Sequence, residues 1–208
     1  MYKSVLVLAP HTDDGELGAG GTIARFIREG ADIDYVAFSS CEESVPTGFD
    51  KDVLRREVIA ATAQLGILNE NVRVLNYKVR NFPAVRQEIL EDLIEIRRSK
   101  KYDLVLIPST TDIHQDHKTI SEEGLRAFKN YNLWGYELNW NQLTSDSTCF
   151  VRLELKDILA KIESIKMYES QYGRGYCNDD YLMSLAKVRG AQIGGIYAEC
   201  FELIRCVF

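Results

Sequence analysis

The sequence has no long apolar run and no basic block, and each absence excludes a class of protein. No apolar stretch approaches the roughly 18 residues that a membrane-spanning helix needs, so we expect no membrane association. The 208 residues carry a formal charge of -6, which leaves no positive footprint for nucleic acid or anionic lipid. The apolar run at residues 5–8 is too short for the core of a signal peptide, and it is predicted to be a strand.

Cysteine is scarce and irregularly spaced. The five cysteines are odd in number and form no Cys-x-x-Cys pair, which argues against both a disulfide framework and a thiolate zinc site. We therefore expect a cytoplasmic protein in a reducing compartment. The length fits one domain over residues 1–208.

Apolar strands alternate with helical patterns along the chain. Strands are predicted at residues 5–9, 33–38, 72–75, 104–107, 133–138, 149–155 and 197–207, the last as a strand pair or as one strand with an irregular end. Helices are predicted from the first turn to Gly30 and at residues 52–65, 85–98, 116–128, 157–168 and 179–189. This order predicts an α/β fold, a Rossmann-like three-layer sandwich with a mostly parallel sheet and an elaborated C-terminal portion.

Histidine is rare, and all three histidines lie in two acid-rich clusters after predicted strands. Residues 11–14 read His-Thr-Asp-Asp, and residues 112–117 read Asp-Ile-His-Gln-Asp-His. The carboxyl ends of parallel strands share one edge of a sheet, so the clusters converge if their strands are neighbours. Two imidazoles, a carboxylate and an open position for water are typical of catalytic zinc. The pattern predicts a metallohydrolase, with helix capping by Asp14 or Asp116 as the structural alternative.

These residues resemble the two signatures of the PIG-L/LmbE-like N-acetylglucosaminyl deacetylases. Residues 9–16, APHTDDGE, and the following GAGGT are similar to a His-Pro-Asp-Asp-x-Glu pattern that leads into a glycine-rich helix start. Residues 114–117, HQDH, resemble the second signature, His-x-Asp-His. The resemblance implies zinc-dependent hydrolysis that removes an acetyl group from an N-acetylated amino sugar of the N-acetylglucosamine type, or from its conjugate.

The resemblance also implies a role for each matched residue. His11, Asp14 and His117 would be the metal ligands, and Asp13 would be the general base. His114 would stabilise the oxyanion, as an imidazolium or as a hydrogen-bond donor. The implied cofactor is Zn²⁺, with Fe²⁺ as the alternative in a reducing compartment. The carrier of the sugar and the oligomeric state, a homo-oligomer included, stay open.

Three further features have two interpretations each. Leu54 stands where the family often has an arginine that holds substrate, so the neighbouring Arg55 and Arg56 are candidate substrate contacts or parts of a solvated helix face. Glu16 would orient a ligand or favour the start of the following helix. The aromatic segment 131–140 would line a sugar pocket or pack in the core.

Three other functions compete with the deacetylase. A nucleotide-binding protein is suggested by Gly18-x-Gly20, but the third glycine of that pattern is absent and the acidic residues nearby would repel a pyrophosphate. A metal-binding Rossmann-like protein without hydrolase activity would need neither Asp13 nor His114. A metallophosphoesterase usually needs ligands for two metal ions.

Overall fold

A computed structural model describes residues 2–207, in which a seven-stranded sheet lies between two layers of helices. The strands are β1 (Ser4–Ala9), β2 (Asp32–Ala37), β3 (Val72–Val74), β4 (Leu104–Pro108), β5 (Asn132–Tyr136), β6 (Ser147–Leu153) and β7 (Tyr197–Arg205). Their order across the sheet is β3-β2-β1-β4-β5-β7-β6. The first five strands are parallel, and β7 pairs antiparallel with both β5 and β6.

The helices divide between the two faces of the sheet. They are α1 (Asp14–Arg28), α2 (Val53–Leu65), α3 (Arg86–Ser99), α4 (Gln115–Ala127), α5 (Leu155–Lys166) and α6 (Asp179–Gln192). One hydrophobic core lies under α1, α2, α5 and α6, and the other lies under α3 and α4. In β1, Val5 and Val7 face the first core while Leu6 and Leu8 face the second. Burial on both faces explains why this strand is continuously apolar.

The predicted three-layer α/β fold is confirmed, and its C-terminal portion is now defined. The last apolar segment forms one strand, β7, which inserts between β5 and β6. Gly30 and Gly66 follow α1 and α2 with φ of 86° and 93°, a conformation that favours glycine at the end of a helix. Within residues 2–207, no helix is both long enough and apolar enough to span a bilayer.

The glycine-rich start of α1 serves close packing. A Cβ atom at Gly18 would overlap the ring of Tyr136, and one at Gly21 would lie 2.7 Å from the Leu153 side chain. These glycines therefore let α1 approach β5 and β6 closely. The strand order also makes β1 and β4 neighbours, with Val5 opposite Leu104. The two histidine-containing segments consequently leave adjacent strands at the same edge of the sheet.

Candidate metal centre and active site

Three potential ligand atoms from the two histidine clusters meet at the carboxyl edge of β1 and β4. His11 Nδ1 lies 3.1 Å from Asp14 Oδ2 and 3.1 Å from His117 Nε2, and His117 Nε2 lies 3.2 Å from Asp14 Oδ2. A tetrahedral ion with bonds of about 2.1 Å separates its ligands by about 3.4 Å. The spacing of this triangle therefore fits a small divalent cation.

The second ring nitrogen of each of these histidines is held by a carboxylate. His117 Nδ1 lies 2.8 Å from Asp112 Oδ2, and His11 Nε2 lies 3.1 Å from Asp116 Oδ2. Because an ionised carboxylate only accepts, these nitrogens donate, and the opposite nitrogen of a neutral ring then presents a lone pair. Two lone pairs and a carboxylate oxygen consequently face one another. Metal-bound histidines usually have this arrangement, with a carboxylate behind each ring.

The electrostatics of the triangle also favour positive charge. Burial lowers the pKa of His117, but the carboxylates of Asp14 and Asp112 outweigh it and raise that pKa to about 10. Burial opposes charge on His11 in the same way, and Asp14 and Asp116 raise its pKa nonetheless. Burial would raise the pKa of Asp14, but His117 and His11 hold it well below its usual value. The site attracts positive charge, and a divalent ion can supply that charge in place of protons.

His114 lies beside the triangle, and its hydrogen bonding separates it from the ligands. One nitrogen of each histidine lies within 4.8 Å of the other two, so distance alone would allow His114 as a ligand. However, His114 Nδ1 accepts a hydrogen bond from the Asp116 backbone N–H at 3.2 Å, which places the hydrogen of the neutral ring on Nε2. Burial and then the charges of His117 and His11 lower its pKa. His114 therefore offers a neutral N–H donor.

Asp13 supplies a second carboxylate next to the triangle. Its side chain borders the cavity above the triangle, and the residue is only 8% exposed. Burial and the neighbouring charge of Asp14 raise its pKa, against the opposing effects of Arg174 and His11. A carboxylate with a raised pKa is suited to accept a proton near neutral pH.

The triangle opens into a cavity of about 260 Å³. His11, Asp13, Asp14, His114 and His117 lie at its base. Helices α1 and α2 and several segments distant in sequence supply the remaining lining residues, which are Thr12, Leu17, Cys41, Ser44, Leu54, Val79, Arg80, Trp140, Asn141, Gln171, Arg174 and Tyr176. The rings of Trp140 and Tyr176 stack with centroids 4.1 Å apart and an interplanar angle of 7°. Of the two tryptophans in the aromatic segment, Trp134 is a core residue and only Trp140 reaches the cavity.

Arg55 and Arg56 do not line this cavity. Arg55 donates to the Val74 carbonyl at 3.0 Å, and Arg56 pairs with Asp52 on the exposed surface of α2. Leu54 lines the cavity instead, because successive residues of a helix point in different directions. The position of the two arginines therefore gives no support to the expected substrate contact.

Glu16 is fully buried and acts on the backbone next to the ligands. Burial raises the pKa of its carboxyl group to about 8, although hydrogen bonds with Tyr35 and Tyr168 oppose the shift. The hydroxyl groups of these tyrosines also lie 2.9 and 2.7 Å from the Thr12 carbonyl oxygen. Each hydroxyl group thus contacts both the Thr12 carbonyl and the Glu16 carboxyl group, which makes four contacts for two hydroxyl protons. A protonated Glu16 carboxyl group supplies a third proton. The network holds the backbone between His11 and Asp13, so Glu16 contacts no proposed ligand directly.

Sequence reasoning missed the positions of Asp112, Asp116 and Arg80. The two aspartates were visible as carboxylates flanking the histidines, but their contacts with the imidazoles were not. Arg80 has a φ of 66°, and it is one of two non-glycine residues with positive φ in residues 2–207; the other, Cys41, also lines the cavity. The Arg80 backbone N–H donates to Asp116 Oδ2 at 2.5 Å, which holds this uncommon conformation.

The fold and this cluster define an α/β protein of Rossmann-like topology with a candidate metal centre built from two histidines and an aspartate. Residues 6–128 match the PIG-L family, described as GlcNAc-PI de-N-acetylase. The chain belongs to this family, which confirms the resemblance seen in the two histidine motifs.

The similarity to other proteins covers almost the whole chain. A diacetylchitobiose deacetylase from Thermococcus kodakarensis is 24% identical over 231 residues, covering 99% of this chain and 85% of the relative. The structure of N,N′-diacetylchitobiose deacetylase from Pyrococcus horikoshii with an inhibitor superposes with a TM-score of 0.81 at 22% identity, covering 96% of this chain and 83% of that one. A 4-carboxy-2-hydroxymuconate hydratase from Pseudomonas putida has a TM-score of 0.76 at 19% identity, covering 99% and 98%. The same fold thus occurs in proteins named for different reactions, and the site must carry the functional argument.

Proposed function

We propose that this protein is a metal-dependent N-deacetylase that removes the acetyl group from an N-acetylated amino sugar or its conjugate. Membership of the PIG-L family and the similarity to diacetylchitobiose deacetylases support this function. The observation that carries it is the triangle of three acceptor atoms beside the buried carboxylate of Asp13. A protein that only bound a metal ion would have no use for that carboxylate or for the N–H donor of His114.

His11 Nδ1, His117 Nε2 and Asp14 Oδ2 would hold the metal ion, and Asp112 and Asp116 would orient the two imidazoles. This mixture of nitrogen and oxygen ligands suits Zn²⁺, with Fe²⁺ as the alternative. When bound, Zn²⁺ lowers the pKa of a water molecule to about 7 and polarises a carbonyl group.

Asp13 and His114 would divide the proton transfer and the charge stabilisation between them. Asp13 accepts a proton from the attacking water as the water oxygen bonds to the acetyl carbonyl carbon. His114 Nε2–H donates to the carbonyl oxygen while that oxygen gains negative charge. Asp13 then returns the proton to the amine nitrogen as the C–N bond breaks, which gives acetate and a free amino sugar.

The cavity above the triangle suits a small polar substrate. Its aromatic wall, Trp140 and Tyr176, offers a flat apolar surface, and Asn141 and Gln171 add amide groups that can bind hydroxyls. We propose that residues 1–208 form one catalytic domain that acts on such a sugar in a reducing, cytoplasmic compartment.

Acetate release tests the proposed function directly. Metal-reconstituted protein is assayed with N-acetylglucosamine and N,N′-diacetylchitobiose, beside Asp13→Asn and the exposed control Asp146→Asn. We expect Asp13→Asn to lose about 10²–10⁴-fold in turnover, the range typical of a general base, with its metal content unchanged. The control should keep parental turnover. Failure to release acetate from any N-acetylated sugar, or full activity of Asp13→Asn, contradicts the proposal.

A further inference from the structure

Two arginines line the walls of the cavity above the candidate metal centre. Arg80 lies between β3 and α3, and Arg174 lies between α5 and α6. Among the described residues, the other formally charged groups of the lining are the two carboxylates at its base, Asp13 and Asp14, apart from the three histidines. The arginine side chains of the lining therefore lie on its walls, above the reacting groups.

Among the described residues, neither guanidinium group forms an ion pair with a carboxylate. Within residues 2–207 no carboxylate lies within 4.0 Å of either group, whereas six other arginines form such pairs: Arg25, Arg28, Arg56, Arg86, Arg126 and Arg189. Arg80 Nη2 donates a hydrogen bond to the Ser44 hydroxyl at 3.1 Å, and Arg174 Nη1 donates one to the Tyr176 hydroxyl at 2.6 Å. Both groups keep donors free for a ligand.

The backbone and the aromatic wall hold both arginines in place. Asp116 binds the Arg80 backbone N–H at 2.5 Å and also the imidazole of His11, which ties the position of Arg80 to the metal triangle. The guanidinium carbon of Arg174 lies 5.9 Å from the ring centroid of Tyr176, which in turn stacks on Trp140. Both arginines line the cavity, although both residues are also exposed to solvent.

The carboxylates nearest the triangle are engaged at the base of the cavity and not on its walls. Asp14 belongs to the triangle, and Asp112 and Asp116 bind the imidazoles of His117 and His11. Within residues 2–207 none of these carboxylates forms an ion pair with Arg80 or Arg174. A guanidinium group presents a planar set of donors that matches a carboxylate or a phosphate. We infer that the substrate is an N-acetylated amino sugar with an anionic substituent, a carboxylate or a phosphate, which Arg80 and Arg174 bind. As a statement about the substrate, this inference rests on the proposed deacetylase function.

Ligand binding tests the inference without turnover. Calorimetry compares glucosamine, glucosamine 6-phosphate and muramic acid, the last two carrying a phosphate and a carboxylate, on the metal-loaded and metal-free protein. We expect at least one anionic sugar to bind about tenfold or more tightly than glucosamine. Arg80→Gln and Arg174→Gln should each lose about tenfold in affinity for that sugar and leave the affinity for glucosamine unchanged. Arg56→Gln, outside the cavity, is the matched control and should bind like the parent.

Acetate release from N-acetylglucosamine 6-phosphate, N-acetylmuramic acid and N-acetylglucosamine provides the second readout. We expect the preferred anionic substrate to exceed the neutral one about tenfold in kcat/KM, and Arg80→Lys to retain part of that preference. Equal affinity for sugars with and without the anionic group overturns the inference, and so does an equal loss of affinity for both kinds of sugar in the two glutamine variants. If Arg174→Gln alone loses kcat/KM equally on both substrates, Arg174 acts on the charge of Asp13 and does not belong to the anion site.

The two proposals fail in different ways. If anionic sugars bind selectively through Arg80 and Arg174 but no acetate is released, the deacetylase function is wrong and the anion site stands. If neutral and anionic substrates are deacetylated alike, the function stands and the anion site is wrong.

Discussion

Two buried charge clusters flank α1, and they differ in whether the protein completes them. Near β7, Lys161 Nζ lies 2.7 Å from Glu199 Oε1, and the same carboxylate accepts the backbone N–H groups of Gly21 and Thr22 at 3.0 and 2.6 Å. Every acceptor there faces a donor. At the other end of α1, two imidazole lone pairs and the Asp14 carboxylate face one another across 3.1–3.2 Å.

The difference separates a structural cluster from a functional one. A buried charge is costly unless it is paired and hydrogen-bonded. The Lys161–Glu199 cluster meets that requirement from within the chain and has no need of a ligand. In the triangle of His11, Asp14 and His117 the positive charge comes from protons on the imidazoles or from a metal ion that replaces them.

The largest expected effect comes from removing a ligand of the triangle. In His117→Ala, metal content should fall to background and acetate release should fall with it. Zinc should raise the thermal unfolding midpoint of the parent, because a ligand that binds only the folded state stabilises it by about 2.7 kcal/mol at 100 times its Kd. The variant should show no such rise. A variant that retains the parental metal stoichiometry would remove His117 from the ligand set.

Breaking the complete cluster should have the opposite profile. Lys161→Met leaves Glu199 without its cation, which should lower the free energy of unfolding by about 3–5 kcal/mol. The metal content of the folded protein should not change, since Lys161 does not border the triangle. Denaturant unfolding and elemental analysis measure the two quantities. Loss of metal at unchanged stability would erase the distinction between the clusters.

His114→Ala distinguishes a role of His114 as an N–H donor from a role as a metal ligand. Loss of one donor to a developing oxyanion typically costs about 10²–10³ in turnover, and we expect a decrease of that size with the metal content retained. Steady-state kinetics on metal-analysed protein make the comparison. If the variant loses its metal, His114 is a ligand and its assignment as an N–H donor is wrong.

The smallest effect is expected from substituting Asp112, the carboxylate that holds the His117 imidazole. Asp112→Asn weakens the orientation of the His117 ring, and losses of this kind cost about 10–100-fold in metal affinity. Competition with a chromophoric chelator measures that affinity. Asp146→Asn is again the control, and equal affinities in both variants would show that Asp112 plays no part in holding the ring.

Much of the fold could be predicted because its signals are local. The run Val5–Leu8 is apolar on both faces, and Gly30 and Gly66 end helices whose periodicity is visible along the chain. The place of β7 between β5 and β6 could not be predicted. Strand order at the edge of a sheet depends on contacts between segments far apart in sequence, which no local pattern encodes.

The same division holds in the site. The histidine and aspartate motifs follow β1 and β4 directly, so their convergence follows from the neighbouring parallel strands. Arg80 and Arg174 lie in irregular segments whose course depends on tertiary contacts, such as the one between the Arg80 backbone and Asp116. The resemblance to the family pointed instead to Arg55 and Arg56, which do not line the cavity.

The central claim is that His11, Asp14 and His117 together hold one divalent ion. An anomalous difference map at the zinc absorption edge, from crystals of the zinc-loaded protein, locates that ion. We expect a single peak within about 2.0–2.2 Å of His11 Nδ1, His117 Nε2 and Asp14 Oδ2, with His114 outside bonding distance. A peak bound by the three histidines without Asp14, or no peak between the two loops, would contradict the claim.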